Sequence, residues 1–142
     1  MKILLAVDGS KHSLKAAKYL IEQANAYREP PSVELVHVHR PVPKLPNMKY
    51  VVSNKQIQQY YEDEGSAALS GAKKLLTAGG IRYVARILVG EPADTIAREA
   101  ERTRCNSITI GTRGMTAAAN LVLGSTATKV LHASSLPVTL VR

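Results

Sequence analysis

Short continuous apolar runs alternate along this chain with stretches of helical spacing. The first run, KILLAV (2–7), stops at Asp8-Gly9-Ser10, as a buried strand ending in a turn does. Leu14, Ala17, Ile21 and Ala24 then recur at intervals of three and four, while Lys11, Lys15 and Lys18 lie elsewhere on the cylinder. That pattern predicts an amphipathic helix with Ser10 as its N-cap. Pro30-Pro31 break it, VELVHVH (33–39) predicts a second strand, and Pro41, Pro43 and Pro46 impose a loop over 40–48. A helix is expected from Ser53 or Asn54 to Ala78, with Gly65 and Gly71 as weak points and Gly79-Gly80 as its stop. IRYVARILVG (81–90) reads as a third strand. Pro92 then opens a third helix, with Ala93, Ile96, Ala97 and Ala100 on one face and an Asp94 to Arg98 pair at i,i+4. SITIG (107–111), a helical stretch over 125–133 and PVTLV (137–141) complete the order βαβαβαβαβ.

Strict alternation of strand and helix implies parallel strands, right-handed crossovers and helices on both faces. The expected fold is therefore α/β, a doubly wound five-stranded parallel sheet of Rossmann-like type. Its 142 residues fit one domain, 1–142. Such sheets take ligands beyond the carboxyl ends of their strands, where the strand order reverses. Asp8 and Gly111 both stand at such ends.

Composition narrows the classes. Hydrophobic residues make up 45% and charged residues 21%, the balance of an ordinary globular protein, and no apolar run could span a bilayer. The N-terminal segment lacks the long apolar region and cleavage site of a secretory signal, so a cytoplasmic location is expected. A single cysteine, Cys105, excludes an intrachain disulfide or a cysteine-pair metal site and reads as a structural thiol. A formal charge of +8 favours anionic partners. Against nucleic acid stand the scatter of the basic residues, with no run longer than Lys73-Lys74, and the absence of Phe and Trp. His37 and His39 share one face of a strand but have no evident third ligand, and are expected to be packed or hydrogen-bonded. Glu62-Asp63-Glu64 reads as a solvated helix face.

The stretch GTRGMTAAANLVLGST (111–126) spaces its glycines distinctively: Gly111, two residues, Gly114, nine residues, Gly124, then Ser125. Glycine at a strand end lets main-chain amides approach an anion, and a helix beginning at Gly124 would add its unpaired N–H groups and dipole. Phosphate suits such a place, and the hydroxyls of Ser125 and Thr126 suit phosphate oxygens or a phosphate-bound metal. A second reading stays open, in which the glycines serve only a strand end, a turn and a helix start. The segment is no P-loop, since neither GKS nor GKT occurs, and the first turn, DGSKHS, is no G-x-G-x-x-G fingerprint.

Gly111, Gly114, Gly124 and Ser125 match every fixed position of G-2x-G-9x-G-[S/T], and here the chain resembles the universal stress protein family in its ATP-binding branch. The likeness extends through AVDGSKHSLKAA, LVHV, VGEPADTIAREA, IGTRG and LGSTATKVLHASSLPVTLV. It implies strand order 3-2-1-4-5, with the first and fourth strands side by side. It further implies that Ala6, Val7 and Asp8 contact adenine and ribose, that Val38 meets the adenine, and that Gly111, Arg113, Gly114, Gly124, Ser125 and Thr126 wrap ribose and phosphates. Asp8 would also reach a Mg²⁺ through the nucleotide phosphates. A homodimer paired through the last strand, Val138, Thr139, Leu140 and Val141, is implied as well.

The stretch MTAAANLVL offers only Thr116 and Asn120 as polar groups, so triphosphate affinity is expected to be modest and ADP or AMP to compete; Arg113 is the nearest cation, with Lys11 and the 40–48 loop as further sources. The resulting expectation is a stress-response protein that binds ATP and acts as a nucleotide-dependent dimeric switch or adaptor. Two alternatives stand beside it. One is a slow ATPase resting on Asp8 and a metal, without a Walker lysine or catalytic dyad; the other is a dimeric adaptor independent of nucleotide.

Overall fold

The computed structural model describes residues 1–43, 52–113 and 123–142. Among these residues five strands alternate with four helices: β1 Lys2–Ala6, α1 Lys11–Ala24, β2 Ser32–His39, α2 Asn54–Ala78, β3 Tyr83–Val89, α3 Pro92–Arg102, β4 Ser107–Gly111, α4 Ser125–Ala133 and β5 Val138–Val141. All the strand pairs are parallel and the order is β3-β2-β1-β4-β5, as the alternation and the resemblance implied. Val7 extends β1 by one residue, donating its N–H to the Val36 carbonyl at 2.9 Å.

The period-two alternation of the strands sorts the core into two layers. Ile3, Leu5, Val33 and Leu35 face one side and pack with Ala16, Ala17 and Leu20 of α1 and Leu69, Ala72 and Leu76 of α2. Leu4, Ala6, Val36, Ile108 and Ile110 face the other, against Ala93, Ile96 and Ala100 of α3 and Val130 of α4. The buried face of α1 is rotated from the expected one. Ser13, Ala16, Ala17, Leu20 and Ala24 are buried, while Leu14 and Ile21 pack only at its margin.

The sequence places the start of β3 at Ile81, but Ile81 belongs to a helix stop. Gly80 adopts φ +68, its N–H reaches the Thr77 carbonyl at 3.1 Å, and the Ile81 N–H reaches the Leu76 carbonyl at 2.9 Å. That pair of bonds is a Schellman motif, with glycine at the left-handed position and Ile81 folded back beside Leu76 in the core. The strand therefore begins two residues later. The expected Asp94 to Arg98 pair is likewise different: Arg98 Nε donates to the main-chain carbonyl of Asp94 at 3.3 Å rather than to its carboxylate.

A buried ionic cluster lies under α3. Glu34, 2% exposed, meets Lys2 Nζ at 2.6 Å and Arg86 Nε at 3.3 Å. Glu99 accepts two bonds from Arg102, at 2.8 and 2.7 Å, and meets Arg86 Nε at 3.4 Å. Hydrogen bonds from Arg102 hold the Glu99 carboxyl below the usual carboxylate range, against the opposing pull of burial. Among the described residues, no helix is long and apolar enough to cross a membrane.

Candidate functional site

β1 and β4 are neighbours, with Ala6 beside Ile110, so their carboxyl ends release Asp8 and Thr112-Arg113 next to one another. The chain leaves β1 to one side and β4 to the other, which opens a cleft between them. The turn into α1 is fixed locally. Asp8 Oδ1 accepts the Ser10 N–H at 2.9 Å, and Ser10 Oγ caps the helix by accepting the Ser13 N–H at 3.2 Å.

The cleft has two unlike walls. Ala6, Val36, Val38, Pro92, Ile96 and Ile110 supply apolar surface. Gly111, Arg113, Gly124, Ser125 and Thr126 supply main chain, hydroxyls and a cation. Gly124 is the N-cap of α4, in extended conformation (φ −72, ψ 156), and among the described residues no side chain caps this helix. Its first amides therefore lack the intrahelical or side-chain acceptor that Ser10 gives α1. The dipole adds partial positive charge at the same place.

Most of the residues singled out in the sequence thus converge. Ala6, Val7, Asp8, Val38, Gly111, Arg113, Gly124, Ser125 and Thr126 all line the one cleft. Gly114, Thr116 and Asn120 lie outside the described residues, as does most of the proline loop. Lys11 is not part of the lining. Val7 contributes main chain only, because its side chain packs into the core beneath α1 and α2. Its N–H is engaged by Val36, and its carbonyl accepts from His37 Nδ1 at 2.9 Å. That bond sets a ring tautomer for His37, protonated at Nδ1. His39 Nδ1 donates to the Arg40 carbonyl at 2.8 Å, and its ring packs edge-on against Tyr60. Among the described residues, no group of three His, Cys, Asp or Glu side chains could hold a metal ion.

Gly111 has a reason the sequence could not supply. A Cβ there would come within 2.7 Å of the His12 carbonyl oxygen and 2.8 Å of its carbon, both main-chain atoms that cannot yield cheaply. The glycine lets the first turn of α1 lie directly on the end of β4. Sequence reasoning missed Ser13, Pro92 and Ile96 as cleft residues. The one available signal was the i,i+4 spacing of Pro92 and Ile96 at the start of α3.

The universal stress protein family model matches residues 1–142. A universal stress protein of Methanocaldococcus jannaschii is 33% identical over 142 residues, covering 99% of this chain and 81% of its own. A Thermus aquaticus universal stress protein is 32% identical, covering 99% and 97%. Among solved structures, an Archaeoglobus fulgidus universal stress protein in complex with dAMP aligns with TM-score 0.64 at 24% identity, over 100% of this chain and 98% of its own. An Arabidopsis thaliana family member with AMP bound aligns with TM-score 0.68 at 18% identity, over 99% and 90%.

Proposed function

The chain belongs to the universal stress protein family, and from that premise we propose that it binds an adenine nucleotide, ATP with Mg²⁺ in the full form, in the cleft between β1 and β4. The observation that carries this reading is the pairing of an apolar wall with the N-terminus of α4, which has no side-chain cap among the described residues, and Arg113. Structural neighbours that hold dAMP and AMP support the ligand class. Asp8 is the only carboxylate among the described lining residues, so a magnesium ion would be held mainly by phosphate oxygens, with Asp8 as the protein's contribution. ADP and AMP occupy the same cleft with fewer phosphate contacts.

Occupancy of this cleft has a route to the sheet edge. Thr112 accepts the Gly124 N–H on its carbonyl and donates its own N–H to the Val141 carbonyl at 2.8 Å. The start of α4 is thereby tied through one residue to β5, the outer strand of the sheet. We propose that a second copy pairs along β5 and that nucleotide binding alters this contact, which requires the two states to differ in partner affinity.

Gly124→Asp tests the phosphate cradle. An aspartate N-cap satisfies the free amides and places negative charge where the phosphates belong, so it is expected to stabilise the empty protein by about 0.5 kcal/mol. In the same variant, calorimetric titration should give ATP affinity at least tenfold weaker than wild type. Unchanged ATP affinity in a folded Gly124→Asp protein would remove α4 from the site.

A further inference from the structure

A second hollow shares Thr112 and Arg113 with the cleft and is completed by His12 and Lys15 of α1 and Arg142 after β5. Four of these five residues carry cationic or protonatable side chains, and none carries a side-chain carboxylate. The bases of the ionic cluster under α3 meet Glu34 or Glu99, and Arg40 and Lys129 meet Glu91. By contrast, Lys15, Arg113 and Arg142 make no ion pair with any described carboxylate. Like charges gathered without an acidic side chain among them repel, and an anion relieves all of them at once.

Two further features make this a formed place rather than a chance grouping of surface bases. The main chain of His12 is seated on Gly111, which ties the α1 side of the hollow to the end of β4. His12 Nδ1 is buried and has no hydrogen-bond partner among the described residues. A polar atom in that condition is costly unless something meets it.

We propose that this hollow is a second anion site, taking a tetrahedral oxyanion such as a phosphoryl group among Lys15, Arg113 and Arg142, with His12 lining the same space. Arginine and lysine from three separate elements, α1, the segment after β4 and the segment after β5, line the hollow together, and charged donors of this kind suit the oxygens of a small oxyanion. The oxyanion has two possible sources: the distal phosphate of a nucleotide whose base occupies the cleft, reached past the shared Arg113, or a separate phosphate or sulfate. Only the first source rests on the nucleotide reading.

The test compares wild type with Lys15→Ala/Arg142→Ala. Both side chains are exposed and neither lines the cleft, so the fold should persist with an unchanged melting temperature. Lys55→Ala/Lys74→Ala, which removes the same charge from exposed positions of α2, is the control for net charge. Three probes are titrated: sulfate alone, followed by the amide shifts of His12, Thr112 and Arg113, then AMP and ATP by calorimetry. Sulfate affinity at least tenfold weaker than in the control, with AMP and ATP unchanged, supports the site with a separate anion. ATP affinity at least tenfold weaker with AMP unchanged supports it with the nucleotide's distal phosphate. If neither sulfate nor ATP affinity falls beyond the control, the proposal is overturned. The sulfate arm decides even if neither nucleotide binds, so failure of the nucleotide reading is seen separately.

Discussion

At the scale of single residues, the glycines of one motif answer to different physics. Gly124 begins a helix without a capping side chain, which is what an anion-binding terminus requires. Gly111 instead yields room for the backbone of His12. Gly111→Ala is therefore expected to destabilise the protein by about 2 kcal/mol, read as a lower melting temperature in the absence of any nucleotide. A variant as stable as wild type would show that α1 can shift away from β4 without cost. The spacing of these glycines was legible in the sequence, but the neighbour of Gly111 was not, because His12 comes to it through the sheet rather than along the chain. Cys105 was legible in full. It is buried, its Sγ lies 3.3 Å from Thr103 Oγ1, and burial pushes its thiol pKa up, as befits a structural rather than reactive group.

At the scale of elements, boundaries followed from caps and breakers, and the misreadings arose where a cap was made by folded-back main chain. α3 ends as α2 does, with the Cys105 N–H on the Ala100 carbonyl at 2.8 Å and the Arg104 N–H on the Glu101 carbonyl at 2.9 Å. Here the left-handed position is held by Arg104, at φ 56, instead of glycine. Arg104→Gly is expected to raise stability by about 0.5–1 kcal/mol by relieving the Cβ contact, partly offset by the freer unfolded chain. A loss of stability would mean that the Arg104 side chain makes a contribution larger than its strain. The ionic cluster under α3 was invisible to pattern reading, since Glu34 interrupts an apolar strand without announcing a partner more than fifty positions away. Glu99 gives it a pH signature. Its folded pKa lies below the ordinary 4.5, so the unfolded state binds the proton more readily. The stability it contributes is present above that value and is lost as pH falls through the folded pKa. Chemical denaturation of Glu99→Gln should show a shallower acid-side decline than wild type; parallel declines would assign the acid sensitivity to other carboxylates.

At the scale of the whole molecule, the alternation of elements implied the parallel doubly wound sheet, and the family resemblance implied the strand order that puts a cleft at the β1 and β4 carboxyl ends. What alternation could not supply was the identity of the apolar wall. Pro92 and Ile96 reach the cleft only because α3 crosses back over β1 after β3. The strand order leaves β5 at an edge, with Val138, Thr139, Leu140 and Val141 all half-buried and uncharged, an edge that isolated proteins usually protect. Thr139→Lys is expected to shift a light-scattering mass from dimer to monomer; a wild type that is already monomeric at high concentration would remove β5 pairing from the account. The most direct test of the proposal that this cleft binds nucleotide is a map of backbone amide shifts on titrating nucleotide-stripped protein with ATP and Mg²⁺. Saturable shifts centred on Asp8, Val38, Gly111, Arg113, Gly124, Ser125 and Thr126 are expected. Shifts that fail to saturate, or that centre away from the ends of β1 and β4, would contradict it.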